Sequence, residues 1–301
     1  MGWRTVMITQ HAKVSYGSHQ LIVQTIDGTS QIPISDIQVL LVGTMSAVIT
    51  TAAINALIQA EAKIIFTGRD GQPVCETLGY YPSNRDASLI TQQLNWQANV
   101  KEQLWTRIVH EKIAMQIQVC QLLQLETAAL DVELLRLELG DVTNREAVVA
   151  RKYFNLMFDN DFSRRDFSPI NAALNYGYSI LLSTIDREIV ANGYLTQFGI
   201  HHHNEGNEFN LGSDLMEPFR PIIDCWVAQQ RFNDFTPDIK FGLVDLLNLE
   251  LMYNGERTIL RHALTKYIAA SLNYLSEQSH SIEIKVALLN EVSSHAINDH
   301  V

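Results

Sequence analysis

Gly79-Tyr80-Tyr81-Pro82-Ser83-Asn84 separates two different spacings of apolar residues. Gly, Pro, Ser and Asn in one short stretch interrupt both strand and helix patterns. Downstream, from Ser88, apolar residues recur at three- and four-residue steps: Leu94, Ala98, Trp105, Ile108, Val109, Ile113 and Ile117, then Leu122 to Leu139. That spacing lines one face of an α-helix. Gly140 ends the run, and the remainder to about Glu291 reads as helices broken by short polar loops. Upstream the runs are short and β-branched. Thr5–Thr9 and Leu21–Ile26 read as strands with Gly17-Ser18 between them. Asp27-Gly28 is a type I′ hairpin signal leading into a third run that ends at Ile34. Ile37–Val42 is continuously apolar, as a buried strand is. A helical patch, Ala52–Ala62, precedes a strand at Lys63–Thr67, and Asp70-Gly71 offers a second tight turn before Val74. The expectation is an α+β chain: a small N-terminal β-sandwich-like domain over 1–78, a linker over 79–87, and a larger all-α domain over 88–301.

At 301 residues the chain is long enough for two cores, and 47% hydrophobic with 18% charged residues is ordinary for a soluble globular protein. The start, MGWRTVMITQHAK, lacks the basic, apolar and small-residue order of a signal peptide. No apolar run approaches spanning length. Cys75, Cys120 and Cys225 are odd in number and far apart, which argues against a disulfide framework and a CxxC metal site. A cytoplasmic location is expected. The net charge of −11 counts against nucleic-acid binding when taken alone, but binding depends on distribution. Acids crowd Glu126, Asp131, Glu133, Glu138 and Asp141; bases follow at Arg145, Arg151, Lys152, Arg164 and Arg165.

Three segments can carry chemistry. Thr143-Asn144-Arg145-Glu146 matches a capping box, in which Glu146 merely closes a helix N-terminus. Yet at about 100° per residue Glu146 lies on the stripe of Val149, Tyr153, Leu156 and Met157, where a carboxylate needs a cation or hydrogen bonds. Gly199-Ile200-His201-His202-His203-Asn204 is either a solvated loop or the source of one metal ligand, because neighbouring side chains do not converge on one ion. In Ser213-Asp214-Leu215-Met216-Glu217-Pro218-Phe219-Arg220-Pro221, the two acids would share a helix face, and their repulsion is relieved by a divalent ion. Alternatively they form an acidic first turn facing the helix dipole. Asn171, Asn175 and Tyr178 form a polar stripe on a helix that Ser168 and Pro169 begin. That stripe reads as interhelical bonding rather than as DNA contact.

Taken in order, Glu146–Phe154, Asn171–Tyr178, Gly199–His202 and Asp214–Pro221 with Asp224 resemble one family over the whole chain: the CRISPR-associated spacer-acquisition integrase, first protein of the Cas series. The form of the last segment is most similar to integrases of systems with a single large effector nuclease (type II). The resemblance implies that Glu146, His202 and Glu217 are catalytic and ligate Mg²⁺ or Mn²⁺, with Asp214 a supporting acid. His202 is the fourth position of a G-x-x-H segment. His201 stands where the family is usually apolar, so His201 and His203 stay open as alternatives. The resemblance also implies a homodimer formed through the N-terminal domain. Two such dimers would clamp a central dimer of a small ferredoxin-like partner, second in the Cas series, in a four-plus-two complex. Double-stranded DNA, as donor and repeat, further adaptation subunits and the effector nuclease are the other implied partners; no membrane is.

The implied reaction joins a donor 3′-hydroxyl to a repeat-edge phosphodiester. Two carboxylates and an imidazole suit Mg²⁺ or Mn²⁺ better than structural zinc. Arg151, Lys152, Arg164, Arg165 and Arg220 are candidate phosphate contacts, and His11 or Tyr16 a candidate stacking ring. Competing readings are a nuclease using the same triad with water as nucleophile, and a non-catalytic helical scaffold. A small-molecule enzyme lacks a Gly-rich phosphate loop or a nucleophile motif.

Overall fold

The computed structural model describes residues 4–68, 73–77, 79, 87–158 and 162–289. Two compact units emerge, Met1–Tyr81 and Pro82–Val301. Apart from Gly79 and Ala87, the linker expected at 79–87 lies outside the described residues, as does the Asp70-Gly71 turn.

The first unit runs β1 (Arg4–Ile8), β2 (Lys13–Gly17), β3 (Gln20–Thr25), β4 (Gly28–Pro33), β5 (Ile37–Val42), β6 (Val48–Ile49), α1 (Thr51–Gln59), β7 (Lys63–Thr67) and β8 (Pro73–Glu76). Two four-stranded sheets form, in the orders β1-β5-β7-β8 and β4-β3-β2-β6. The apolar run of β5 is buried at every position, as its composition predicts, because parallel strands β1 and β7 flank it. Val14, Leu21 and Val23 of one sheet meet Ile8, Leu40, Val42 and Ile64 of the other in a core that α1 closes with Ala53 and Leu57. Thr50 caps α1, its hydroxyl accepting from the Ala53 amide at 3.3 Å.

Two details depart from the sequence reading. β2 is a strand that the reading passed over; it turns into β3 through Ser18-His19, both at positive φ (52° and 62°). These residues lack the Asn or Gly that normally advertises such a turn. The second hairpin turns on Ile26-Asp27 rather than Asp27-Gly28, since Thr25 pairs with Gly28. Gly28, at φ 147°, opens β4 instead.

The second unit is helical: α2 (Ala87–Leu94), α3 (Ala98–Leu122), α4 (Ala128–Leu135), α5 (Arg145–Met157), α6 (Pro169–Ala191), α7 (Asn210–Leu215), α8 (Arg220–Gln229), α9 (Pro237–Asp245) and α10 (Leu260–Leu275). About half of α3 and most of α6 are buried. Ser168 caps α6, accepting from the Asn171 amide at 3.1 Å, with Pro169 in the first turn, as expected. Gly177 lets α6 approach α8 and α9, because a Cβ there would lie 2.4 Å from Ile223 Cγ2 and 3.1 Å from Leu243 Cδ2.

The expectation of an all-α unit left out a three-stranded sheet of β9 (Glu250–Tyr253), β10 (Glu256–Ile259) and β11 (Val286–Leu288). Polar side chains of α3 hold β11. Glu111 accepts from the Val286 amide at 2.5 Å and Gln118 from the Leu288 amide at 3.0 Å. Burial pushes the Glu111 carboxyl up to about 7. The folded state therefore favours its proton, and the associated stability is present in acid and lost as pH rises through about 7. Glu111→Gln keeps the acceptor oxygen without a charge. Thermal melts from pH 4 to 8 are expected to show near-equality at the acid end, below the unfolded value of 4.5, and a widening gap as pH rises to about 7. At pH 8 the variant should be more stable, by on the order of 1–3 kcal/mol.

Candidate active site

Lys112, two helical turns beyond Trp105 on α3, puts its ammonium between two carboxylates. Nζ contacts Glu146 Oε1 and Glu217 Oε2. The Lys112 and Glu217 side chains are each 5% exposed, whereas Glu146 is 26% exposed and open to solvent.

Glu146 comes from the first turn of α5, but not as a capping-box acid. Asn144, at φ 53°, precedes the helix without a side-chain cap bond. Asp141 caps it instead, Oδ1 accepting from the Arg145 amide at 2.6 Å and Oδ2 from the Glu146 amide at 3.0 Å. The Glu146 carboxylate is therefore free to reach Lys112. Along its stripe Val149 and Tyr153 are buried and Leu156 is exposed.

Glu217 lies where the chain changes course. α7 ends at Leu215, a 3₁₀ turn spans Glu217–Phe219, and α8 starts at Arg220. Pro218 and Pro221 each stand at the start of their piece, where a missing N–H does no harm. Asp214 and Glu217 consequently do not share one continuous helix, and they meet different partners. Glu217 Oε1 accepts from Arg220 at 2.8 Å. Its Oε2, within ion-pair reach of Lys112, accepts no well-directed hydrogen bond. Burial opposes ionisation of Glu217, but Arg220 and Lys112 outweigh it and hold the carboxyl down at about 2. Burial likewise opposes the Lys112 charge, and Glu217 with Glu146 hold that ammonium above its ordinary value.

Asp214 is fully buried and serves the histidine loop. Its Oδ2 accepts from the amides of Ile200 (2.7 Å) and His201 (3.0 Å), and its Oδ1 from the His202 amide at 3.1 Å. His202 Nδ1 lies 2.5 Å from the same Oδ1. A buried carboxylate accepts only, so Nδ1 carries the proton and Nε2 is left available. The Asp214 bond is the main reason His202 holds a proton more firmly than an ordinary imidazole, and the charges of Glu217 and Glu146 add to it. Gly199 is required by close approach: a Cβ would lie 2.4 Å from the His202 carbonyl and 2.7 Å from Asp214 Oδ2. His201 stacks on Trp105, ring centroids 4.2 Å apart and planes at 5°. His203 is exposed.

Several expected phosphate contacts are already engaged. The Arg220 guanidinium covers the Tyr178 ring at 4.2 Å besides binding Glu217. Arg164 donates to Asn171 and Asn175, so those two asparagines hold an arginine rather than a neighbouring helix. Tyr178 donates to Asp224, whose carboxyl burial raises to about 6. Lys152 and Arg145 both bind Glu133, at 2.8 Å each, so part of the basic stretch neutralises part of the acidic one. Arg151 and Arg165 are exposed. His11 Nδ1 meets the Ser46 carbonyl at 2.8 Å, and Tyr16 lies beside His19. Sequence reasoning missed Lys112, Trp105 and Asp141. The signal for Lys112 was present: it falls on the face of Trp105, Ile108 and Val109, where an unpartnered ammonium would be expensive.

A profile of the family described as CRISPR associated protein Cas1 matches residues 6–238. The chain belongs to the Cas1 family. Among Cas1 relatives, the CRISPR-associated endonuclease Cas1 of Neisseria meningitidis serogroup C (strain 8013) is 31% identical over 277 residues, 90% of this chain and 91% of that one. The fold recurs in a CAS1 protein from Thermotoga maritima, with a TM-score of 0.76, 15% identity, and 93% of this chain and 100% of that one covered. It recurs as well in a casposase bound to integration product, with a TM-score of 0.78, 18% identity, and 99% and 96% covered. Membership of Cas1 makes this a chain of an endonuclease and integrase family. Among its described residues no helix is long and apolar enough to cross a membrane.

Among the described residues no three His, Cys, Asp or Glu side chains close around one point as they stand; the Lys112 ammonium takes the gap between the two acids. The donor set nonetheless fits a hard divalent ion. It offers a buried Glu217 oxygen without a directed bond, a solvent-open Glu146, and an imidazole whose other nitrogen is fixed by a carboxylate. That last pairing is the usual support of a ligating histidine.

Proposed function

We propose that this chain is a metal-dependent DNA integrase that inserts spacers into a CRISPR array, with Glu146, His202 and Glu217 as ligands of Mg²⁺ or Mn²⁺. The observation that carries the reading is that Glu146 and Glu217, 71 positions apart in the sequence, converge on one cation, Lys112. A bound divalent ion supplies Lewis-acid polarisation of the phosphate and stabilises the oxygens that exchange at phosphorus. The chain's own residues supply the rest. Asp214 fixes the loop and the tautomer, so His202 presents Nε2. Trp105 braces His201, keeping its neighbour in place. Arg220 keeps Glu217 ionised, and its seat over the Tyr178 ring fixes the carboxylate's direction. The 3′-hydroxyl of the donor attacks a repeat-edge phosphodiester, and the displaced 3′-oxygen leaves with a proton; one ester replaces another, so no nucleotide is consumed.

A type II setting, a homodimer joined through the N-terminal unit, and a small ferredoxin-like dimer as partner belong to the same reading. A solved Cas6-RT-Cas1–Cas2 complex contains a chain of this fold (TM-score 0.72, 18% identity, 92% of this chain and 35% of that one), which supports the partner. The test is incubation of the chain with that partner, a donor duplex and a supercoiled repeat plasmid, with and without Mn²⁺. Joined, branched DNA formed only with the metal is expected. Shortened DNA alone would replace the integrase with a nuclease, and metal-independence of every product would leave a scaffold.

Exposed Arg151 and Arg165 remain as phosphate contacts. Arg151→Ala with Arg165→Ala is expected to weaken binding to every duplex alike and to reduce the slope of log affinity against log salt by about 2. Fluorescence anisotropy across a salt series measures it, and an unaltered slope would move the DNA path elsewhere.

A further inference from the structure

We propose that Lys112 is a resident counter-ion: its ammonium keeps Glu146 and Glu217 paired before a divalent ion arrives, and it must leave the gap for the ion to enter. The inference rests on the reading of Glu146, His202 and Glu217 as metal ligands. It adds a residue that competes with the metal.

Two acidic side chains from separate segments repel when brought together away from water. Glu217, 5% exposed, has no solvent to screen it, so the pair needs a cation at all times. The site has two, and they differ. Arg220 is held twice, by its 2.8 Å bond to Glu217 Oε1 and by the Tyr178 ring at 4.2 Å. A planar fork fixed in this way is a permanent partner. Lys112 sits in the carboxylate gap itself and touches one oxygen of each acid. A point charge on a flexible four-carbon stem can withdraw without disturbing the helix that carries it. Its contact with Glu217 Oε2 is not a directed hydrogen bond, so that oxygen can exchange one cation for another. The mechanism gives Lys112 no other task, yet a lysine between these acids must weaken any ion that seeks the same oxygens.

The test uses the full chain and Mn²⁺ alone, with affinity measured by calorimetry or by the paramagnetic resonance of free Mn²⁺. Glu146→Gln serves as the site control. Lys112→Met, similar in length and uncharged, is expected to bind Mn²⁺ at least tenfold more tightly than the parent. It should melt at a lower temperature without metal and gain more from Mn²⁺. Lys112→Arg, which restores a cation, is expected to bind no more tightly than the parent. If the parent binds Mn²⁺ through Glu146 and Lys112→Met binds it equally or more weakly, the competing role falls while the metal reading stands. If neither chain binds Mn²⁺, both fall together. Should Lys112→Met fail to fold, amine methylation of the parent read by peptide mass spectrometry decides. Lys112 is expected to be protected without metal and modified at saturating Mn²⁺, and unchanged protection at saturation overturns the proposal.

Discussion

Glu146→Gln is expected to reduce DNA joining by a factor on the order of 10³ while shifting the melting temperature by only a few degrees. The amide keeps the size and position of the side chain but gives up the charge that a divalent ion needs. The structural penalty is small for two reasons. Glu146 is 26% exposed, so its pairing with Lys112 is partly screened and contributes roughly 1 kcal/mol or less. Lys112 also keeps Glu217 as a partner when Glu146 is neutral. Glu217→Gln is expected to lose activity as well, but with a larger fall in melting temperature. That variant leaves Arg220 facing a buried amide and Lys112 with only the part-exposed Glu146, and breaking a buried pair in this way costs about 3–5 kcal/mol. Joining assays in Mn²⁺ run beside thermal melts separate the two kinds of loss. Parent-level joining by Glu146→Gln would remove this residue from the chemistry.

The separation of β-rich and helical parts was legible because periods of two and of three to four leave different marks on apolar residues. Strand β5 and the start of α6 followed from a buried apolar run and from Ser168-Pro169. Other elements were hidden for physical reasons. The β2–β3 turn uses Ser18-His19, which pay for positive φ through tertiary context rather than through their own preference. The β9–β10 hairpin does carry an Asn254-Gly255 signal, both residues at positive φ, but its strands are four residues each and the third member, β11, comes from far along the chain. Thr143-Asn144-Arg145-Glu146 has the letters of a capping box, yet the capping atoms come from Asp141, further upstream, because Asn144 takes a left-handed conformation. At the site, the residue types expected to ligate could be read from the pattern of four segments. Lys112 could not be assigned in that way, because a single lysine within an apolar face declares a partner without saying which. Only the fold brings Glu146 and Glu217 to it.

Asp214→Ala is expected to lower stability by about 3–5 kcal/mol and to abolish joining, although Asp214 is assigned no place among the ligands. Its two oxygens collect the amides of Ile200, His201 and His202 together with the His202 ring, and its side chain is wholly buried. Removing it leaves three N–H groups of one short loop without their acceptor, and no nearby carboxylate takes its place: Glu217 is committed to Lys112 and Arg220. Asp214→Asn separates charge from shape. An amide retains one accepting oxygen, but its NH₂ must then face backbone donors, so part of the loop still comes away. In that variant His202 loses the interaction that most raises its affinity for a proton. Its imidazole should therefore titrate at a lower pH than in the parent, which carbon-13 and nitrogen-15 shifts of labelled histidine report directly. A scaffold in which His202 is only a surface side chain predicts stability loss alone, with no Mn²⁺ binding at this site in parent or variant. The integrase reading requires Mn²⁺ affinity to fall along with the loop, even at temperatures where Asp214→Asn remains folded.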